Sequence, residues 1–339
     1  MSRQTVTIML VVLAAALAVA VARYWPSRAP VEGPSSQTLE ENLEDAPTVE
    51  AAAPPIDPAL IQYRQTVQLA LGLRHVRALA LGPEDRIYVG GDRTVRVMAA
   101  DGSRQREIGL SGEPQCLAVG GAEGPAPGRI YVGMQDHVEV FGADATAIAV
   151  WPKPAPNAVF TSIAAAEQDL FVADALNRIV WHYDLGGKLR NRIGAADAAR
   201  KIPGFLVTSR YFDLAVGGDG LLYVVNPHAL RIEAYTFQGD FESCWGKSAP
   251  DIDGFFGCCN PAHFAIAPDG RFVTAEKGAA RIKMYSSQGK FQCVVAGPAQ
   301  MSGTAAGIAV DHRGRILVLD PIVPALRIFE RKQFRATAT

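Results

Sequence analysis

From residue 78 onward the chain writes one pattern six times. Each unit opens on an apolar-Ala-apolar run, turns on Gly or Asp, and gives a second apolar run that ends near an acid or amide. A short loop leads to an Arg-containing run, and another turn leads to the last. The units start near Ala78, Cys116, Ser162, Asp213, His263 and Gly307, roughly 40 to 50 residues apart. Runs of four to six β-favouring residues between Gly/Asp turns are short strands. Four such strands per unit, repeated in series, specify a β-propeller, because no unit can bury its apolar faces without a neighbour. A pair of β-sandwiches would not repeat one unit six times. The expected fold is therefore all-β, a six-bladed propeller.

The sixth unit holds only three strands. The segment Gln65–Leu73, "QTVQLALGL", precedes the first unit and has no other home. It is expected to supply the missing outer strand of blade six, closing the ring and removing an exposed sheet edge.

The stretches "NPAHFAIAPDGRFVTAEKGAARIKMYSSQGKF" (260–291) and "LFVADALNRIVWHYDLGGKL" (170–189) resemble NHL repeats of six-bladed propellers. The resemblance covers roughly residues 66–334. It implies the fold; function stays open, since NHL-like domains include protein-binding, RNA-binding and enzymatic members. Blade two departs from it in lacking the acid–Arg pair that the other units show.

Ahead of the propeller, Thr5–Ala22 carries no charge. As a helix it would span about 27 Å, close to a bilayer's hydrocarbon core. Arg23, Tyr24 and Trp25 follow it as an interfacial group. Residues 1–25 read as a transmembrane signal-anchor helix, with a cleaved signal peptide as the competing reading because of the small-residue "AVA" sites. Residues 26–62, rich in Pro, Ala, Ser and Glu, read as a disordered linker. The propeller is assigned to 63–335 and a tail to 336–339. Either export reading puts the propeller outside the cytoplasm, periplasmic or extracellular. The partners expected are the membrane, through the helix, and a protein, peptide or glycan on the loop face. Nucleic acid is not expected, since the formal net charge is −1.

Chemistry is sparsely marked. There is no phosphate loop, HExxH, GxSxG or haem-attachment motif. Asp92 with Arg96, Asp174 with Arg178, Asn226 with Arg231, Glu276 with Arg281 and Asp320 with Arg327 recur at one place in the blade, and that repetition favours a structural pairing. The unit starts are more specific. In a propeller they begin the innermost strands, so Ala78, Cys116, Ser162, Asp213, His263 and Gly307 should ring one mouth of the central channel. Cys116, Asp213 and His263 can ligate or titrate there. His228, Glu276 and Lys277 are expected on the same face from their loops, as are Cys258 and Cys259 above His263, with Cys244 at the end of the preceding outer strand. Three readings of the cysteines stand: a ligand or metal site of His263, Asp213 and thiolates; a disulfide from Cys244 to Cys258 or Cys259; or a turn that merely shapes the start of blade five. A metal ion is the one candidate cofactor. The function expected is a membrane-tethered extracytoplasmic binding module, the alternative a metal, redox or lyase/hydrolase-type enzyme with its site at the channel mouth.

Overall fold

The structure, a computed structural model, describes residues 53–333. Among them are six four-stranded antiparallel sheets, each built from consecutive strands except the last. The inner strands are Ala78–Gly82, Cys116–Val119, Phe160–Ala165, Leu214–Val216, His263–Ile266 and Gly307–Val310. The alanine of each apolar-Ala-apolar run packs against the following blade: Ala80 with blade two, Ala118 with three, Ala164 with four, Ala215 with five, Ala265 with six and Ala309 with one. A small side chain there lets neighbouring inner strands approach where six of them converge.

Blade six pairs Ala325–Arg331 with a strand from the other end of the chain, Tyr63–Ala70, in seven registered pairs from Tyr63↔Arg331 to Ala70↔Ala325, broken by a bulge between Gln65 and Val67. The closing strand begins and ends a few residues earlier than Gln65–Leu73. Leu71 and Leu73 are buried beyond it and pack with blade one.

The last part of the assigned linker is also ordered. Pro58–Leu60 form one 3₁₀ turn capped by Asp57. Ile61 bridges to Val294, and the Gln62 N–H donates to Val294 O at 3.0 Å. Residues 53–62 thus lie against blade five: Ile56 meets Gly297, where a side chain would collide with it. The apolar run Thr5–Ala22 and the rest of the linker lie outside the described residues. No helix among the described residues is long and apolar enough to cross a membrane.

The repeated acid or amide at the end of strand two has a different partner from the one expected. It accepts backbone N–H groups of the connector entering the blade. Asp92 takes those of Arg74 and His75, Asp174 that of Val159, Asn226 that of Leu206 and Glu276 that of Phe256. Such connectors have no ladder partner, so a side-chain acceptor satisfies donors that would otherwise be left unpaired. Direct arginine pairing occurs only at Glu276–Arg281 and Asp320–Arg327. Arg96 turns to Glu107, and Arg231 reaches Asn226 only through Glu233. Arg178, exposed in its turn, is displaced by the Trp181 indole N–H, 2.9 Å from Asp174.

Candidate functional site

The six unit starts line one channel of about 300 Å³ along the axis. Above it opens a mouth of about 810 Å³, which shares Arg77, Gln115, Thr161, His263 and Ala306 with the channel wall. The mouth is walled by connectors that precede inner strands (Val76, Glu113, Arg210, Tyr211, Ala305) and by the loops of Gln135 and Pro321. Polar groups therefore converge in one concavity at an end of the propeller axis, the kind of pocket in which ligands bind.

Asp213 and His263 stand together at the junction of channel and mouth. Asp213 Oδ2 lies 3.3 Å from His263 Nδ1 and accepts the Phe264 N–H at 3.0 Å; Oδ1 accepts the Leu214 N–H at 2.9 Å. These bonds tie blade four to blade five and fix the carboxylate. A carboxylate so held keeps the imidazole proton of a neutral His263 on Nδ1, which leaves Nε2 as an acceptor. Tyr211 packs edge-on against the imidazole, ring centres 6.2 Å apart, and the Lys277 ammonium sits 5.2 Å from the Tyr211 ring centre. Ser162 Oγ accepts the Leu214 N–H at 3.2 Å, linking blade three to blade four.

Two cations and one anion face the mouth. Arg77 is paired with Glu113 at 3.2 Å. Arg210, half-buried in the wall, has no hydrogen-bond or ionic partner among the described residues. Neither Arg77 nor the pair Arg210–Tyr211 was expected from the sequence. Arg210 and Tyr211 sit in the long connector between blades three and four, outside the repeated strands that the sequence pattern displays.

Other expected site residues fall elsewhere. Cys116 lines the channel wall, but burial pushes its thiol far up and the charge of Asp213 pushes it further. Its Sγ lies against Gly133, where any side chain would collide with it. It is a packed, protonated thiol and no thiolate ligand. His228 is exposed on its loop and lines neither cavity. Cys244 is exposed on the outer strand of blade four, opposite Glu233. All five cysteines are free, so the staple from Cys244 to Cys258 or Cys259 is not formed. No three His, Cys, Asp or Glu side chains among the described residues are placed to hold a metal ion. The expected thiolate–His263–Asp213 ligand set is not assembled.

Glu276 is buried inside blade five, away from the mouth. Its carboxylate meets Arg281 Nε at 2.5 Å and Lys283 Nζ at 3.1 Å. Lys283 also donates to Gly254 O and Ile252 O, holding down the connector, and its ammonium lies over Phe255 and Tyr285. Burial pulls its pKa down from 10.5 to about 8, against the pull of Glu276. Between those values the unfolded chain holds a proton that the folded chain has lost. Stability should therefore rise with pH across that window, by roughly 3 kcal/mol from this group. Urea titrations of the wild type and Lys283→Met between pH 7.5 and 10 test this. The wild type should gain stability relative to the variant as pH rises; parallel curves would mean that Lys283 keeps its ordinary pKa.

No family model matches the chain, and no curated protein matches it, so the NHL resemblance gains no support beyond the fold. Solved structures do match. A streptogramin B lyase is 13% identical, covering 81% of this chain and 100% of its own, with a TM-score of 0.54. A catalytically inactive histidine-to-alanine variant of virginiamycin B lyase from Staphylococcus aureus, with quinupristin, is 14% identical, covering 80% of this chain and all of its own, at 0.53. A structural-genomics protein of unknown function from Bacteroides thetaiotaomicron is 14% identical, covering 77% of this chain and 70% of its own, at 0.55. At such identities the likeness carries the architecture alone: the chain is an all-β, six-bladed propeller.

Proposed function

We propose that the chain is a membrane-tethered extracytoplasmic binding module whose mouth takes a ligand bearing an acidic group. The observation that carries this reading is Arg210, a guanidinium half-buried in the wall of an 810 Å³ mouth with no protein partner among the described residues. A cation withdrawn from bulk water without an anion is costly, and a carboxylate or sulfate of a peptide or glycan supplies what is missing. Arg77 and Tyr211 lie on the same wall. The tether rests on the charge-free run Thr5–Ala22. Recovery of the chain in alkali-washed membranes with residues 1–25 intact supports it; a mature chain starting near Val21 or Arg23 would exclude it.

The binding test is a screen of acidic and neutral peptides and glycans against the wild type and Arg210→Ala. Acidic ligands should bind the wild type and lose ten- to a hundredfold in affinity in the variant, about the worth of one charge-assisted hydrogen bond. Ligands indifferent to Arg210, or only neutral ligands, would refute the reading.

A second reading rests on the Asp213–His263 pair. An imidazole oriented by a fixed carboxylate, at the edge of a cavity, is the arrangement of a general base. The similar lyases add a fold that hosts such chemistry. Quinupristin is the direct probe: turnover by the wild type and none by His263→Ala would favour lyase-type activity, while an unchanged compound leaves the binding module as the reading.

A further inference from the structure

A second cavity lies away from the mouth and shares no lining residue with it. It holds about 310 Å³ between residues 53–61 and blade five, walled by Pro54, Pro55, Ile56, Ile61, Ala279 and Pro298. Only two of its lining side chains are polar, Arg281 and Gln300. Gln300 accepts the Gly297 N–H on its side-chain oxygen at 3.0 Å, and its amide N–H groups have no partner among the described residues. The Arg281 side chain is 1% exposed; its Nε donates to Glu276, and its Nη2 is buried with no hydrogen-bond partner among the described residues. The groups left over are therefore all donors. A buried charged donor without a partner is costly, and an acceptor that reaches it removes the penalty.

The charge count says what kind of acceptor. Arg281 and Lys283 face a single buried carboxylate, Glu276. Burial lowers the Lys283 pKa to about 8, which still leaves it mostly protonated at pH 7. Two cations share one anion in the interior, so an acceptor that is itself an anion fits best. The rest of the wall is hydrocarbon, which calls for an apolar body on that anion. Pockets for small ligands run from about 300 to 1,000 Å³, so this one takes a small molecule.

We propose that this cavity is a second binding site, which takes a small carboxylic acid with an apolar body, its carboxylate on the Arg281 guanidinium and its hydrocarbon part against the prolines and Ile56. The outer wall can shift to admit it. Among the described residues the hydrogen bonds of 53–60 stay within the segment: the Ala59 and Leu60 N–H groups both go to Asp57. Pairing with the blade begins only at Ile61, and Ile56 meets Gly297 by packing alone.

The experiment titrates the full chain in detergent at pH 7 with 3-methylbutanoate and with 3-methylbutan-1-ol, the same body without the charge, and follows binding by calorimetry against a micelle blank. The acid should bind ten- to a hundredfold more tightly than the alcohol, about the worth of one charge-assisted hydrogen bond. Ala279→Leu fills the cavity from its wall and leaves the charges alone; it should weaken the acid at least tenfold. Glu276→Leu with Arg281→Met and Lys283→Met removes the cations without stranding a charge and should abolish the preference for the acid over the alcohol. Arg210→Ala, which strips the mouth, should leave the acid bound. No binding of the acid, or acid and alcohol bound alike by the wild type, overturns the site, the second result leaving Arg281 served by solvent. Acid binding that is lost in Arg210→Ala and kept in Ala279→Leu belongs to the mouth and overturns it too. The two cavities share no residue, so failure here is distinct from failure of the binding reading.

Discussion

A chain lacking residues 1–70 is expected to lose cooperative thermal unfolding, whereas one lacking residues 1–52 should melt within about 2 °C of the full chain. Only the first deletion removes Tyr63–Ala70. That strand contributes seven registered pairs to Ala325–Arg331 and buries Tyr63 against blade five. Its loss also bares Ile328 and Phe329, both fully buried in the intact ring. Each lost ladder bond costs on the order of 1 kcal/mol and each apolar side chain about 1.5–3 kcal/mol. The sum is comparable with the whole stability of an ordinary domain. The exposed edge would in addition recruit other chains, so light scattering on heating should rise earlier for the larger deletion. Equal melting temperatures for the two truncations would show that the ring is held elsewhere.

The second large effect is expected at Glu276. Changing it to Gln leaves the Arg281 guanidinium in the interior with no counter-charge and removes the pull that holds Lys283 protonated; the Arg281 and Lys283 side chains are 1% and 0% exposed. Removing one member of a buried ionic group costs about 3–5 kcal/mol. Replacing all three together, Glu276→Leu with Arg281→Met and Lys283→Met, should recover most of that loss, because an apolar trio leaves no charge stranded. Urea midpoints at pH 7 for the single and triple variants decide the matter. A Glu276→Gln chain as stable as the wild type would mean that the buried Arg281 guanidinium needs no counter-charge there.

These two sites also mark how far the sequence could be read. Blade number, ring closure and the channel-facing starts follow from strand period and turn spacing, which the repeat displays six times over. The strand that closes the ring was placed a few residues late because Leu71 and Leu73 carry its apolar alternation on past its end, where they pack with blade one. The acid–arginine pairs were half legible. Spacing puts both groups at neighbouring strand ends, but it does not reveal the competing donors: the connector N–H groups, the Trp181 indole, or Glu107 for Arg96. Glu276 is aimed inward by Lys283, a residue on the following strand whose burial nothing in the local pattern announces. Asp213 and His263 were legible as repeat positions. Arg210 and Tyr211 were not, because they lie in a connector between blades, whose length varies from unit to unit and so offers no fixed register to align.

The closing strand has one more consequence, in time. Tyr63 pairs with Arg331 and Ala70 with Ala325, so the first of the described strands to be synthesised waits for the last. Contacts so distant in sequence are slow to form, because the intervening chain must first be brought round. Blades one to five can stack as each is completed, since their strands are local. Blade six cannot, and until it does the growing chain carries an unpaired strand at its start. The seam is therefore the late step of folding, and the emerging protein needs its N-terminal strand kept unpaired for nearly the whole of synthesis.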